Sequence, residues 1–60
     1  MYILFIEDDA IETMKFQRTL GKLESKHTLI EAKNGEEALE YLESGKPLPD
    51  IILLDLPNYT

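Results

Sequence analysis

The most informative pattern in the chain lies in residues 3–9, ILFIEDD, where four apolar residues run directly into three acids. Residues 51–55, IILLD, repeat the arrangement, with Asp55 directly after the apolar run. If both runs are parallel strands of one sheet, their acidic ends meet at one edge, which is where open α/β sheets bind ligands. We therefore expect Glu7, Asp8 and Asp55 to form a site at that edge.

Strand and helix patterns alternate along the whole chain. The predicted order is strand, helix, strand, helix, strand, at residues 2–6, 10–23, 27–32, 36–43 and 51–54. The first and third strands are apolar on both faces, as strands buried under helices should be. This alternation implies a parallel sheet with right-handed crossovers. The predicted fold class is α/β, a doubly wound parallel sheet with strand order 2-1-3.

Local signals predict where the helices begin and end. Asp8 or Asp9 can cap the first helix, because a short carboxylate accepts hydrogen bonds from the free amides of the first turn. Asn34 followed by Glu37 resembles a capping box for the second helix, and Gly45 suits its left-handed end. Five apolar residues of the first helix are expected to face the sheet: Ala10, Met14, Phe16, Leu20 and Leu23.

Composition narrows the class of protein. The 60 residues suffice for one small domain, and 12 acidic against 6 basic residues give a net charge of −6, which argues against direct contact with nucleic-acid phosphates. The chain has no cysteine, so disulfides and thiolate metal sites are excluded and we expect a cytoplasmic protein. The apolar run at residues 2–6 is far too short to span a bilayer, so no membrane partner is expected.

The three acids at the predicted edge would bring negative charges close together. Two carboxylates about 5 Å apart repel by roughly 3 kcal/mol at an effective dielectric constant of 20, and a bound cation relieves that repulsion. Few oxygen ligands with room for water suit Mg²⁺ better than Ca²⁺ or Zn²⁺. An aspartate can also attack phosphorus and form an acyl phosphate. Asp55 is the candidate nucleophile, and Glu7 and Asp8 are the candidate metal ligands.

A purely structural role for the same acids stays open from the local pattern. Acids after a strand can simply cap the next helix, and an aspartate at a strand end can organise a turn. Asp9, the third acid in a row, fits a helix cap better than a ligand. His27 is expected to be an exposed residue at a strand start, without a catalytic role.

Three segments together resemble the receiver domain of two-component response regulators: residues 3–9, ILFIEDD; 31–39, EAKNGEEAL; and 49–56, PDIILLDL. The resemblance implies a flavodoxin-like fold in which Asp55 accepts a phosphoryl group and Glu7 and Asp8 hold Mg²⁺. It also implies that Asp55 and the backbone carbonyl of Pro57 are further ligands of the metal. The implied donor is a sensor histidine kinase, a phosphotransfer protein or a small acyl phosphate.

The chain departs from the receiver pattern in two places. Pro57 stands two positions earlier than the usual proline, and its fixed φ affects the loop after Asp55. Residues 1–60 correspond to the N-terminal half of a receiver, without the later hydroxyl and lysine that bind the phosphoryl group. Catalysis would at most be transfer onto the chain's own aspartate. The alternative is a truncated or degenerate receiver that only docks to a partner or self-associates through its exposed third strand.

One further class of aspartate nucleophile matches the third predicted strand in part. Phosphatases of the haloacid dehalogenase type also begin at a strand that ends in aspartate. They need a second aspartate two positions later as the general acid, and Pro57 occupies that position. This reading is therefore disfavoured. Nucleotide-binding glycine motifs are also absent from the sequence.

Overall fold

A computed structural model describes residues 1–54 of the chain. Its elements are β1 (Tyr2–Ile6), α1 (Ala10–Gly21), β2 (Thr28–Ala32), α2 (Gly35–Glu43) and β3 (Ile51–Leu54). The order and type of all five elements match the sequence-based prediction. The first helix is slightly shorter than predicted, because it ends at Gly21 rather than near Leu23.

The three strands form one parallel sheet in the order β2-β1-β3. The central strand β1 pairs with both neighbours, and Ile6 at its end lies opposite Ala32 of β2 and Leu54 of β3. Since all three strands run in the same direction, their carboxyl ends lie at one edge of the sheet. The predicted fold class and strand order are thereby confirmed, as a short flavodoxin-like β-α-β-α-β unit.

The two helices cover opposite faces of the sheet. On one face a buried cluster brings β1, β2 and α2 together: Leu4, Ile6, Ala32 and Ala38, with Ile30 and Leu42 packed against it. On the other face the ring of Phe5 lies 4.6 Å from the ring of Phe16 in α1, measured between centroids. Successive residues of a strand point to opposite faces, so Leu4 and Phe5 face α2 and α1 respectively. This is the doubly wound arrangement.

Side-chain caps begin both helices as the sequence predicts. Asp9 accepts a hydrogen bond from the Ile11 amide at 2.9 Å, and Asn34 accepts one from the Glu37 amide at 2.9 Å. The Glu37 carboxylate in turn accepts a 2.8 Å hydrogen bond from the Lys33 amide, one residue before the cap itself. The reciprocal bond therefore holds the loop from β2 to α2 as well as the helix end.

The connection from α2 to β3 is held at both ends. Gly45 has φ +82°, the left-handed conformation that favours glycine after a helix end. The Tyr41 hydroxyl donates to the Pro47 carbonyl at 2.6 Å. At the start of β3, the Asp50 amide donates to the Tyr2 carbonyl and the Asp50 carboxylate accepts from the Tyr2 amide, both at 2.7 Å. This reciprocal pair sets the register of β3 against β1.

The buried side of α1 differs from the predicted one. Thr13 is buried, and Phe16 and Leu20 are half-buried. Three residues that were predicted to face the sheet are exposed: Ala10, Met14 (56%) and Leu23 (52%). The Phe16 ring contacts Phe5 of the sheet, and Thr13, about one turn before Phe16, lies on the same side of the helix. The Thr13 hydroxyl donates to the Asp9 carbonyl at 3.4 Å, so this polar group has a hydrogen-bond partner although Thr13 is buried.

Strand β3 is exposed, although its sequence predicts a buried strand. Its four residues, Ile51 to Leu54, have between 37% and 60% of their surface accessible. Within residues 1–54, β3 pairs with β1 on one side only, and the buried cluster is built on β1, β2 and α2. The apolar composition therefore predicted the strand correctly, but its prediction that the strand is buried is wrong.

Candidate functional site

The carboxyl ends of all three strands lie side by side, as the pairing of their residues shows. Ile6 lies opposite both Ala32 and Leu54, so the three strands end at the same edge of the sheet. Glu7 follows β1 and Lys33 follows β2. Asp55 is bonded to Leu54 in the sequence and lies outside the described residues. The predicted convergence of strand ends is thus present in the backbone of residues 1–54.

Glu7 is held in place by backbone contacts at this edge. Its amide donates to the Ala32 carbonyl at 2.9 Å, which extends the β1–β2 ladder by one hydrogen bond. Its carboxylate accepts a 3.0 Å hydrogen bond from the Asp9 amide, and only 9% of the residue is exposed. A buried carboxylate needs compensating partners, and a fixed one is pre-positioned to bind a cation.

A cavity of about 350 Å³ opens beside Glu7, between the ends of β1 and β2 and the starts of both helices. Four carboxylate residues and one lysine contribute to its lining: Glu7, Asp8, Glu31, Glu37 and Lys33. Ala10, Thr13 and Ala32 complete it. The cavity is therefore rich in negative charge, with a single cationic side chain among its lining residues.

Two of the predicted Mg²⁺ ligands, Glu7 and Asp8, lie at this edge. Glu7 and Asp8 line the same cavity and offer carboxylate oxygens, and Mg²⁺ in proteins is commonly bound by one or two carboxylates with several water molecules. Within the part of the chain that the structure describes, no three His, Asp or Glu side chains are grouped to hold a metal ion. The other predicted ligands, Asp55 and the carbonyl of Pro57, lie outside the described residues, so the full ligand set stays a prediction.

His27 lies at the other end of the sheet. It precedes Thr28, which pairs with Tyr2 at the start of β1, whereas Glu7 follows the end of β1. His27 is half-buried rather than exposed as predicted, and its Nδ1 atom is buried without a hydrogen-bond partner among the described residues. It borders a separate cavity of about 480 Å³ formed with the end of α1.

Lys33 is the residue of this edge that the sequence reasoning passed over. The predicted site contains only acidic side chains, whereas the structure also places Lys33 beside the same cavity. The available signal was its position directly after a strand end, the same position that singled out Glu7 and Asp55. A lysine that directly follows a strand indicates a site at the sheet edge as strongly as the neighbouring acids do.

Among residues 1–54, neither helix has the length and apolar character needed to cross a membrane. No protein-family model matches the chain, and searches of curated proteins and of solved structures find no significant match. The function is therefore argued from the fold and the site.

Proposed function

We propose that the chain is a phosphoacceptor module of the receiver type, in which Asp55 accepts a phosphoryl group while Glu7 and Asp8 hold Mg²⁺. The observation that carries the proposal is the register of β3 on β1, in which Leu54 pairs with Ile6. The two acidic segments therefore follow paired residues of neighbouring parallel strands. In an open α/β sheet of order 2-1-3, the edge between these strands is the point at which ligands bind.

The proposed transfer is a single displacement at phosphorus. A carboxylate oxygen of Asp55 forms the new O–P bond, and the bond from phosphorus to the donor breaks with its electron pair, releasing acetate when the donor is acetyl phosphate. Mg²⁺, when bound, neutralises charge on the transferred phosphoryl group. The buried, hydrogen-bonded Glu7 and the neighbouring Asp8 support the metal-binding part of this proposal. The Pro57 carbonyl is a further proposed ligand.

The physiological partners follow from the same proposal. A sensor histidine kinase or a phosphotransfer protein is the proposed donor. The bond from phosphorus to its imidazole nitrogen breaks with the electron pair on nitrogen, and the dephosphorylated imidazole is the leaving group. The proposed location is the cytoplasm, where proteins commonly lack disulfides, in keeping with a chain that has no cysteine.

Intact-mass spectrometry tests the transfer directly. The chain incubated with acetyl phosphate and Mg²⁺ is expected to gain the mass of one phosphoryl group, and Asp55→Asn is expected to gain none. Asp9→Asn is the matched control, because it removes one acid beside the site while asparagine retains the helix cap. Glu7→Gln and Asp8→Asn should each raise the Mg²⁺ concentration needed for labelling. An unlabelled wild-type chain, or equal labelling of Asp55→Asn, contradicts the proposal.

The exposure of β3 favours a second candidate function, docking or self-association without phosphotransfer. All four β3 residues are at least 37% exposed, and within residues 1–54 the strand has a hydrogen-bonded neighbour on one side only. An apolar edge strand of this kind is a template for pairing with another chain. Sedimentation equilibrium should then show a dimer or larger species with no dependence on phosphoryl donor. A monomer across the micromolar range contradicts this candidate.

A further inference from the structure

We propose that Lys33 is a positioning residue that attracts the phosphate group of the phosphoryl donor to the acidic edge. The inference rests on the proposed function and gives a role to a residue to which the sequence resemblance assigned none. It starts from the placement of Lys33 in the same 350 Å³ cavity as Glu7 and Asp8.

The backbone of Lys33 is fixed on both sides. It is the single residue between Ala32, which ends β2, and Asn34, which caps α2. Its amide donates to the Glu37 carboxylate at 2.8 Å. Because the strand and the helix cap are both anchored, the Lys33 side chain starts from a defined point at the edge of the sheet. Only the side-chain torsions of Lys33, and not its backbone, then lose freedom when it binds a ligand.

The charge of Lys33 is available to a ligand. Among the described residues that line this cavity, Lys33 is the only cationic one, against four with carboxylates. Among residues 1–54, the single ion pair within 4.0 Å joins Lys15 to Glu12 on α1, so no carboxylate oxygen of the described chain lies that close to the Lys33 amine. An exposed ammonium group on a flexible stem binds phosphate as a point charge.

Lys33 should act in opposite directions on the two ligands of the proposed site. The phosphate of a donor is repelled by the carboxylates that line the cavity, and a positive charge there reduces that repulsion. The same positive charge repels Mg²⁺. Removing it should therefore slow phosphoryl transfer and tighten Mg²⁺ binding. A residue that merely supported the fold would weaken both.

The experiment compares three variants with the wild-type chain: Lys33→Gln, Lys33→Arg and Lys22→Gln. Lys22→Gln is the matched control, because it also removes one positive charge but at the end of α1 away from the cavity. Lys22 lies on the order of 18 Å along the helix axis from Ala10, which lines the cavity. The initial rate of labelling by subsaturating acetyl phosphate is measured by intact mass, and Mg²⁺ affinity is measured separately by isothermal titration calorimetry.

Lys33→Gln is expected to label about threefold more slowly and to bind Mg²⁺ about twofold more tightly, with both differences shrinking as salt is added. Lys33→Arg and Lys22→Gln should resemble the wild type. Equal rates for Lys33→Gln and wild type overturn the inference, as does weaker Mg²⁺ binding by Lys33→Gln, which would indicate a structural role. Failure of the wild type to label overturns the proposed function together with this inference, so the two failures are distinguishable.

Discussion

Replacement of Leu4 by alanine should remove at least a third of the free energy of unfolding of this protein. Leu4 has 0% of its surface exposed and belongs to the buried cluster on the central strand. Truncating a fully buried leucine costs about 3 kcal/mol, from lost burial and the cavity left behind. A chain of 60 residues has a total free energy of unfolding of roughly 3 to 9 kcal/mol. The loss is therefore a third or more of the total.

Urea unfolding followed by far-ultraviolet circular dichroism measures this loss. Leu48→Ala is the matched control, since Leu48 is 69% exposed and its truncation should change the free energy of unfolding by less than about 0.5 kcal/mol. If Leu4→Ala is unfolded without urea, Leu4→Val keeps the comparison quantitative, with an expected loss of about 1 kcal/mol. A Leu4→Ala variant as stable as Leu48→Ala, with an unchanged urea dependence, would refute the assignment of Leu4 to the core.

Two further changes test the helix ends and the second face of the sheet. Asn34→Ala should lower the free energy of unfolding by about 1 kcal/mol in the same urea assay, because it removes the acceptor for the Glu37 amide, whereas Asn34→Asp should retain stability. In a double-mutant cycle, Phe5→Leu and Phe16→Leu should show a coupling of about 1 kcal/mol, since the rings lie 4.6 Å apart. Additive losses would mean that the rings do not interact in solution.

Structural features that depend only on residues close together in the sequence were predicted correctly. The cap at Asp9, the cap at Asn34 and the left-handed glycine at position 45 all depend on the local backbone and a side chain within a few residues. The element order also follows from local hydrophobic patterns. The strand order 2-1-3 needed a topological rule in addition, and the structure confirms it.

The chemistry of the candidate site was predicted only in part. The convergence of strand ends follows from parallel pairing, and the register of Ile6 with Leu54 bears it out for the described backbone. Lys33 was missed because its nearness to Glu7 and Asp8 arises through β2, a segment more than twenty residues away in sequence. The roles of Asp55 and Pro57 stay predictions, since both lie outside the described residues.

The sequence by itself determined the alternation of strands and helices, the helix caps and the acids that follow two of the strands, because each depends on short-range periodicity or local hydrogen bonding. Tertiary structure alone decided that Thr13 is buried, that β3 is exposed and that Lys33 shares a cavity with Glu7. These outcomes depend on how a helix is rotated against the sheet and on which strands have neighbours. Contacts between distant segments set both, and no local pattern encodes them.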